Sequence, residues 1–489
     1  MTLQTFLALA AACATWAATA QAQTTLTAAP ISEAALPVPV LRPDERRPDK
    51  PMTIDVFGSP VELGLSWEVT QERRLNFDLD RTRQRGRDVL DHEVKADARG
   101  RVGSTLTWFL QGVALADRRA ALLDGAAQDR HSFERGQTWL LFTRPGGLPL
   151  SVQAGRIALI ERRSWWWDDD LDAVRLSYTP TEPTPWRFET GVAHEVLKLA
   201  SGDRGVAPES KGLTRWFGHT GWRWAPEHLL EGFWLVAPDR SAQSAAGTLL
   251  DAGTEDRSDA RLGWLGLRAS GEARFESGHR LIYRADTALL RGRETRTPFD
   301  ATSTGQLAAG ESSTRRVRGH AWDLGAQWRL PGDARPTFSV ALAQGSGGVA
   351  DGTQDRNFRQ TGLQENKGRV AGVKRIRYYG ELLDPELSNL RVATIGFGVR
   401  ALTNSSVELM LHRYRQALAS TRLAGSRLSQ NPAGTHRDIG RELDLLFALR
   451  EWKQVELTLK LARFLPGDAF AADRRDPAHS VEIGATLTF

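Results

Sequence analysis

The chain has 489 residues, a formal net charge of +5, and 25% charged against 41% hydrophobic residues; its mean hydropathy is −0.38. These values suit a water-soluble protein and also one membrane class, because a transmembrane barrel needs apolar residues only at alternate strand positions. Past the N-terminus there is no apolar run of about 18 residues, which excludes a helical membrane span, and one cysteine in the whole sequence excludes a disulfide framework.

The elements in chain order begin with an export signal. Residues 6–18 are apolar or small, and Ala20-Gln21-Ala22 before Gln23 is the small-x-small pattern of signal-peptidase cleavage. Cys13 lies inside this run, so cleavage after Ala22 leaves a mature chain without cysteine and removes thiol catalysis and Cys-based metal sites together. Residues 23–54 carry Pro30, Pro37, Pro39, Pro43, Pro48 and Pro51 and read as an extended lead-in. Residues 55–489 are expected to form one domain.

From Val61 the pattern has period two. Leu63, Leu65, Trp67 and Val69 alternate with Glu62, Gly64, Ser66, Glu68 and Thr70. Similar runs follow near 90–99, 104–116, 134–144, 148–158, 171–179, 186–196, 215–225 and 227–237. The series continues near 261–271, 279–290, 318–330, 337–345, 390–400, 406–416, 441–450, 453–464 and 480–489. This makes about eighteen strands of roughly ten residues, the length of a tilted strand crossing a bilayer core. Tight links such as Pro331-Gly332-Asp333 and Thr403-Asn404-Ser405 alternate with long polar links such as 197–214, 238–260 and 346–389. A sandwich mixes hairpins and crossovers; regular alternation predicts an all-β, up-and-down antiparallel transmembrane barrel with short periplasmic turns and long outer loops. The last strand alternates Val481, Ile483, Ala485 and Leu487 with polar or small residues and ends on Phe489, which resembles the assembly signal of bacterial outer-membrane proteins.

A barrel of this size encloses a lumen lined by the polar strand faces. Alternation puts Lys95, Arg99, Arg175, Arg284 and Lys460 inside, with Glu62, Glu68, Asp97, Asp286, Glu442 and Asp444. Arg156 has the parity of Leu150, Val152 and Ala154, and is expected at or past its strand's end, where parity no longer binds. Such charges either brace the wall as ion pairs or pass an anionic, sugar-like polymer by guanidinium–carboxylate pairing and ring stacking. Trp165, Trp166 and Trp167, abutting Asp168, Asp169 and Asp170, are expected in an upper loop, as a stacking passage or as part of the interfacial aromatic girdle. The ten histidines show no H-E-x-x-H spacing and no G-x-S-x-G elbow is present, so neither a metal, a cofactor nor a catalytic residue is expected.

Several motifs resemble the alginate export outer-membrane porin family. They are Gly155-Arg156, Trp165-Trp166-Trp167-Asp168, Leu171-Asp172-Ala173-Val174, Phe358-Arg359-Gln360-Thr361-Gly362-Leu363-Gln364-Glu365-Asn366, Glu386-Leu387-Ser388-Asn389-Leu390, Asp438-Ile439-Gly440-Arg441-Glu442-Leu443-Asp444 and Pro466-Gly467-Asp468-Ala469. The resemblance implies an eighteen-stranded outer-membrane barrel that exports a polyuronate from the periplasm through an arginine-rich constriction. Its acidic loop residues match Asp168 and Asp170, and its basic lining matches Arg99, Arg375, Arg377 and Lys460. Two of the family's basic lining positions fall instead on Ala158 and near Glu68 or Val69, so the electropositive lining is thinner here. The alternatives are a porin for small anionic sugars or organic acids, an outer-membrane enzyme, and a structural barrel with a plugged lumen. The expected partners are an anionic polysaccharide, the lipid bilayer, the barrel assembly machinery and a periplasmic scaffold, with no nucleic acid and a monomeric state.

Overall fold

The computed structural model describes residues 51–83, 85–121, 127–180, 184–203, 205–241, 243–348 and 353–489. The export signal, Cys13 and most of the proline-rich lead-in lie outside the described residues. Among the described residues eighteen strands build one antiparallel wall. The first nine are β1 (Ser59–Leu75), β2 (Gly86–Val102), β3 (Leu106–Ala121), β4 (Ala127–Thr143), β5 (Leu150–Ile160), β6 (Asp168–Tyr178), β7 (Trp186–His194), β8 (Thr214–Ala225) and β9 (His228–Pro238). The others are β10 (Ser258–Arg274), β11 (Arg280–Arg296), β12 (Ser313–Arg329), β13 (Thr337–Gly345), β14 (Leu390–Arg400), β15 (Ser406–Gln416), β16 (Asp438–Leu449), β17 (Val455–Pro466) and β18 (Ala478–Thr488). Each pairs with its sequence neighbours, and β18 returns to β1 from Ser66↔Thr488 to Leu75↔His479. The Phe489 backbone continues this seam, its N–H donating to Leu65 O at 2.8 Å. Closure leaves no row of unpaired N–H and C=O groups facing hydrocarbon, where each would cost several kcal/mol.

Period two becomes two surfaces. On β10, Leu265 and Leu267 are 60% and 57% exposed on the outside while Trp264 and Arg268 are 5% and 2% exposed within. β18 repeats this, with Ile483 outward and Glu482 joined inside to Lys460 at 2.9 Å. Several strands exceed the expected ten residues: β1, β2, β4, β10, β11 and β12 each have 17. The sequence explains the excess. On the outer face of β11, Thr287 and Leu289 give way to Arg291 and Arg293, so its last turns stand in water beyond the hydrocarbon. At the proximal end, Met52–Val56 pairs with Ser59–Leu63 through a turn at Phe57-Gly58.

Short connections such as 226–227 and 401–405 gather at one end of the barrel, with both ends of the described chain; 195–213, 239–257, 297–312 and 346–389 lie at the other. The outer loops carry a three-stranded sheet of Leu249–Leu250, Leu307–Ala309 and Phe299–Ala301. Two connections turn inward, 161–167 between β5 and β6 and, between β13 and β14, the described residues of 346–389. Their buried side chains join the inner wall in one apolar cluster that includes Trp165, Trp166, Trp167, Phe358, Tyr379 and Leu383. The core of this protein therefore lies inside its lumen.

Candidate functional site

Glu161 organises the shorter inward loop. Its carboxylate accepts the backbone N–H of Arg163 (2.8 Å), Trp165 (2.6 Å) and Trp166 (3.1 Å), while Arg268 of β10 donates to it at 2.5 and 3.0 Å. Burial works against the charge, but Arg268 and these N–H groups hold the Glu161 pKa down to about 2. Ser164, at φ 51, makes the tight turn. Trp166 then lies against the wall, stacked on Phe233 with centroids 5.1 Å apart, and Trp167 meets Phe217 and Phe233 edge-on. The seat for Trp166 is Gly266, where a Cβ would overlap the indole.

The three tryptophans are 2%, 1% and 0% exposed. They are neither an open stacking surface nor a membrane girdle, and this corrects both expectations. The girdle reading failed because aromatic composition does not tell an outward ring from one folded into the lumen.

The longer loop docks on the shorter one. Leu363 O accepts the Asp168 N–H at 2.6 Å, and Ser164 O accepts those of Glu365 and Asn366 at 3.0 and 2.9 Å. Gln360 and Asn366 exchange side-chain hydrogen bonds at 2.8 and 3.0 Å, and Gln360 also takes the Leu387 N–H. On the far side, Glu442 of β16 accepts from the N–H groups of Leu382 (2.7 Å) and Leu383 (2.9 Å), and Asp444 from that of Glu381 (3.1 Å). Pro466-Gly467-Asp468-Ala469 closes against the start of β16, with Ala469 N–H on Asp438 O at 2.8 Å. Motifs dispersed along the sequence thus meet as the contacts that hold the two loops in the lumen. The longer loop reaches the short-turn end, where Ala371 and Val373 donate to Glu408 and Ser406 at 2.9 Å each and Arg450 holds Val373 O at 2.8 Å.

Ion pairs weld this plug to the wall. Arg163 bonds Asp286 and Asp323 (2.9 Å to the latter), Arg268 bonds Asp286 at 2.6 Å, and Tyr379 donates to Asp323 at 2.8 Å and accepts from Trp165 at 2.8 Å. Asp168 pairs with Arg375 at 2.6 Å. Lys460 of the wall pairs with Glu381 of the loop (3.2 Å) and with Glu482 beside it (2.9 Å), while Arg377 and Asp384 pair at 2.8 Å within the loop. Burial, opposed by Arg377 and reinforced by Glu381, raises the Asp384 pKa to about 6. Glu381 is also pushed up by burial, but Lys460 and Arg377 outweigh it and leave its pKa lowered.

The remaining residues singled out from sequence divide clearly. Arg99 is 3% exposed on Glu62 at 2.5 Å, and Arg175 is 1% exposed between Gln153 and Glu189: both brace the inner wall. Lys95 pairs with Glu93 at 2.8 Å and, with Asp168, Asp169 and residues 362–365, lines a cavity of about 390 Å³. Asp169, rather than Asp170, joins Asp168 there. Arg284 faces the lumen with its guanidinium 5.1 Å from the Tyr378 ring centroid and no carboxylate at ion-pair distance among the described residues.

Arg156 is a correction. β5 continues to Ile160, so Arg156 is within the strand, in register with Thr138 and Asp172 on the face turned away from the lumen. There Asp172 pairs with Arg135 at 2.6 Å and takes the Val196 N–H at 3.3 Å, so a covering loop shelters these charges from lipid.

Sequence reasoning missed Glu161, Arg163, Arg268, Asp323 and Tyr379 as a network. Alternation alone would have put Arg268 inside; nothing in the sequence says that two outer loops bring the others to it. Also missed are Arg329 and Arg400, whose strand parity turns them inward at the short-turn mouth, within electrostatic reach of Arg335.

The profile of the family described as alginate export matches residues 59–483. The alginate production protein AlgE of Pseudomonas aeruginosa is 25% identical over 453 residues, spanning 86% of this chain and 90% of that one. AlgE of Pseudomonas syringae pv. tomato is 24% identical over 349 residues, 65% and 68% of the two chains. Among solved structures, OccK7 (OpdD) of P. aeruginosa superposes with a TM-score of 0.53 over 88% of this chain and 98% of that one, at 12% identity, a likeness of fold alone. With a family match over most of its length and the closed eighteen-stranded wall, this chain belongs to the alginate export family of outer-membrane β-barrels.

Proposed function

We propose that the barrel exports an anionic polysaccharide, an alginate-like polyuronate, from periplasm to exterior, and that the two inward loops form a plug the polymer displaces. The observation that carries this reading is the set of ion pairs that tie the inward loops to the wall, Arg375–Asp168, Arg163–Asp323 and Lys460–Glu381. A polyuronate bears one carboxylate per sugar and competes for the same guanidinium and ammonium groups, so each pair given up within the plug is regained with substrate. Arg329, Arg335 and Arg400 at the short-turn mouth attract the entering chain, and Arg284 offers a guanidinium below the plug. With the plug seated, most lumen cations are neutralised; the basic pathway is a property of the displaced state. The name of the curated relatives supports alginate as the polymer.

The size of the cavity, about 390 Å³, supports a second reading, a porin for single anionic sugars or small acids. A polymer requires the plug to leave; a monosaccharide does not. In either case the protein acts by conduction rather than catalysis, inserted by the barrel assembly machinery, as a monomer, with a periplasmic scaffold delivering substrate. The test is planar-bilayer recording in a salt gradient. Anion selectivity and block by added polyuronate are expected, with Arg284→Glu weakening both; cation selectivity with no block by polyuronate would overturn the proposal.

A further inference from the structure

We infer that Asp239, Asp256 and Asp259 form a calcium-type cation site at the base of the outer loop joining β9 to β10. Asp239 directly follows β9, and Asp256 and Asp259 straddle the start of β10, to which the Asp239 N–H is tied through Ala260 O at 3.0 Å. One carboxylate oxygen from each lies within 4.8 Å of the others.

Two independent facts separate this cluster from an ordinary acidic patch. Asp168, Asp286, Asp323 and Glu381, buried like Asp239 and Asp256, each face an arginine or lysine; among the described residues no cationic side chain comes within ion-pair distance of the three cluster carboxylates. Asp256 is only 8% exposed, and while its Oδ1 accepts the Ser258 N–H at 3.1 Å, its Oδ2 is buried with no hydrogen-bond donor. Ser241 cannot neutralise the group: its hydroxyl is 2.6 Å from Asp239 Oδ1 and 2.7 Å from Asp259 Oδ1 and has a single proton to give. Two buried carboxylates and a part-exposed third, with no cationic side chain at ion-pair distance among the described residues, call for a counter-charge.

The donors are all oxygen, which selects a hard cation and disfavours zinc or copper. Ca²⁺ accepts irregular, flexible oxygen coordination, whereas Mg²⁺ demands a near-ideal octahedron and gives up its waters reluctantly, so an irregular three-carboxylate cluster suits calcium. The ion would bind the β9–β10 loop to its neighbour: Gln243 meets Thr297, which bonds Ser312 at 2.7 Å at the root of the small outer sheet. Its consequence is an outer mouth whose rim stiffens with external divalent cation.

The test uses the full-length barrel refolded in detergent without lipopolysaccharide, stripped with chelator and dialysed against radiolabelled Ca²⁺ alone. One ion per chain is expected, with Kd in the range of about 10⁻⁴–10⁻³ M seen for extracellular calcium modules. Asp256→Asn and Asp259→Asn should each weaken it by roughly tenfold or more, and Mg²⁺ should compete poorly. Asp251→Asn, on an exposed carboxylate of the same loop, should bind as wild type does. Because wild-type uptake is read first, the idea does not depend on any variant folding. Absence of stoichiometric uptake overturns it, as does uptake unaffected by both cluster variants or lost equally in the Asp251 variant.

Discussion

Replacing Arg163 by alanine probes whether plug docking is held electrostatically. Arg163 is 5% exposed; it bonds Asp286 and Asp323 and lies 4.7 Å from the Tyr378 ring centroid. Removing one member of a buried ion pair costs about 3–5 kcal/mol, because its partner stays buried and unpaired. Here the lower end applies, since Arg268 still holds Asp286 at 2.6 Å and the Tyr379 hydroxyl still donates to Asp323 at 2.8 Å. A loss of about 3 kcal/mol shifts the docked-to-undocked ratio by roughly 10²-fold. The cost falls on the loop, as β11 and β12 keep their full ladder. Single-channel recording should therefore find open-state occupancy raised by about that factor, with faster tryptic cleavage inside 353–389. Adding Asp323→Asn should restore much of the docking by removing the carboxylate whose ion-pair partner is gone, whereas Asp286 keeps Arg268. Wild-type open probability and wild-type trypsin resistance in a folded Arg163→Ala barrel would refute the reasoning.

A methyl group at Gly266 should act alike, because its Cβ overlaps Trp166 and the Thr287 carbonyl; Gly266→Ala is expected to raise conductance, and an unchanged trace would mean that Trp166 has room to move. Asp384 predicts a pH response. Its pKa is about 6 with the plug docked, against an ordinary 3.8, so protonation favours docking. That contribution is full below pH 3.8 and is lost as pH rises through about 6, about 3 kcal/mol. Open probability should climb across that window and Asp384→Asn should flatten the climb; an identical profile in the variant rules Asp384 out as the group responsible. Arg284→Glu should lower anion selectivity and, because the guanidinium lies 5.1 Å from the ring of Tyr378 in the plug, should also quicken tryptic cleavage within 353–389; unchanged selectivity rules Arg284 out of the anion path.

The wall was legible because its physics is local. Alternation in runs such as Val455–Pro466, and links such as 401–405 set against 346–389, fix a closed barrel without knowledge of long-range contacts. The same parity put Arg99, Arg175, Arg284 and Lys460 on the correct face. The plug was not legible. Trp165, Trp166 and Trp167 have no periodicity to report, and their burial depends on Phe233 and Phe217, far along the chain. Glu161 is an unremarkable residue until three backbone N–H groups and Arg268 converge on it. Arg156 lies within β5 because that strand runs to Ile160, two residues past the expected end, and the loop covering Asp172 is a tertiary fact. The spacing of the family motifs does not reveal that residues such as Leu363 and Asp168, or Ala469 and Asp438, bind one another.

The central claim is that this barrel moves a polyanionic sugar chain past a displaceable plug. The most direct measurement is efflux from liposomes containing the purified barrel, loaded either with a defined-length oligouronate or with a neutral glucan of equal length. The account predicts oligouronate efflux at least roughly tenfold faster, rising further in Arg163→Ala. Equal or faster efflux of the neutral chain, or retention of both with the plug released, would contradict it.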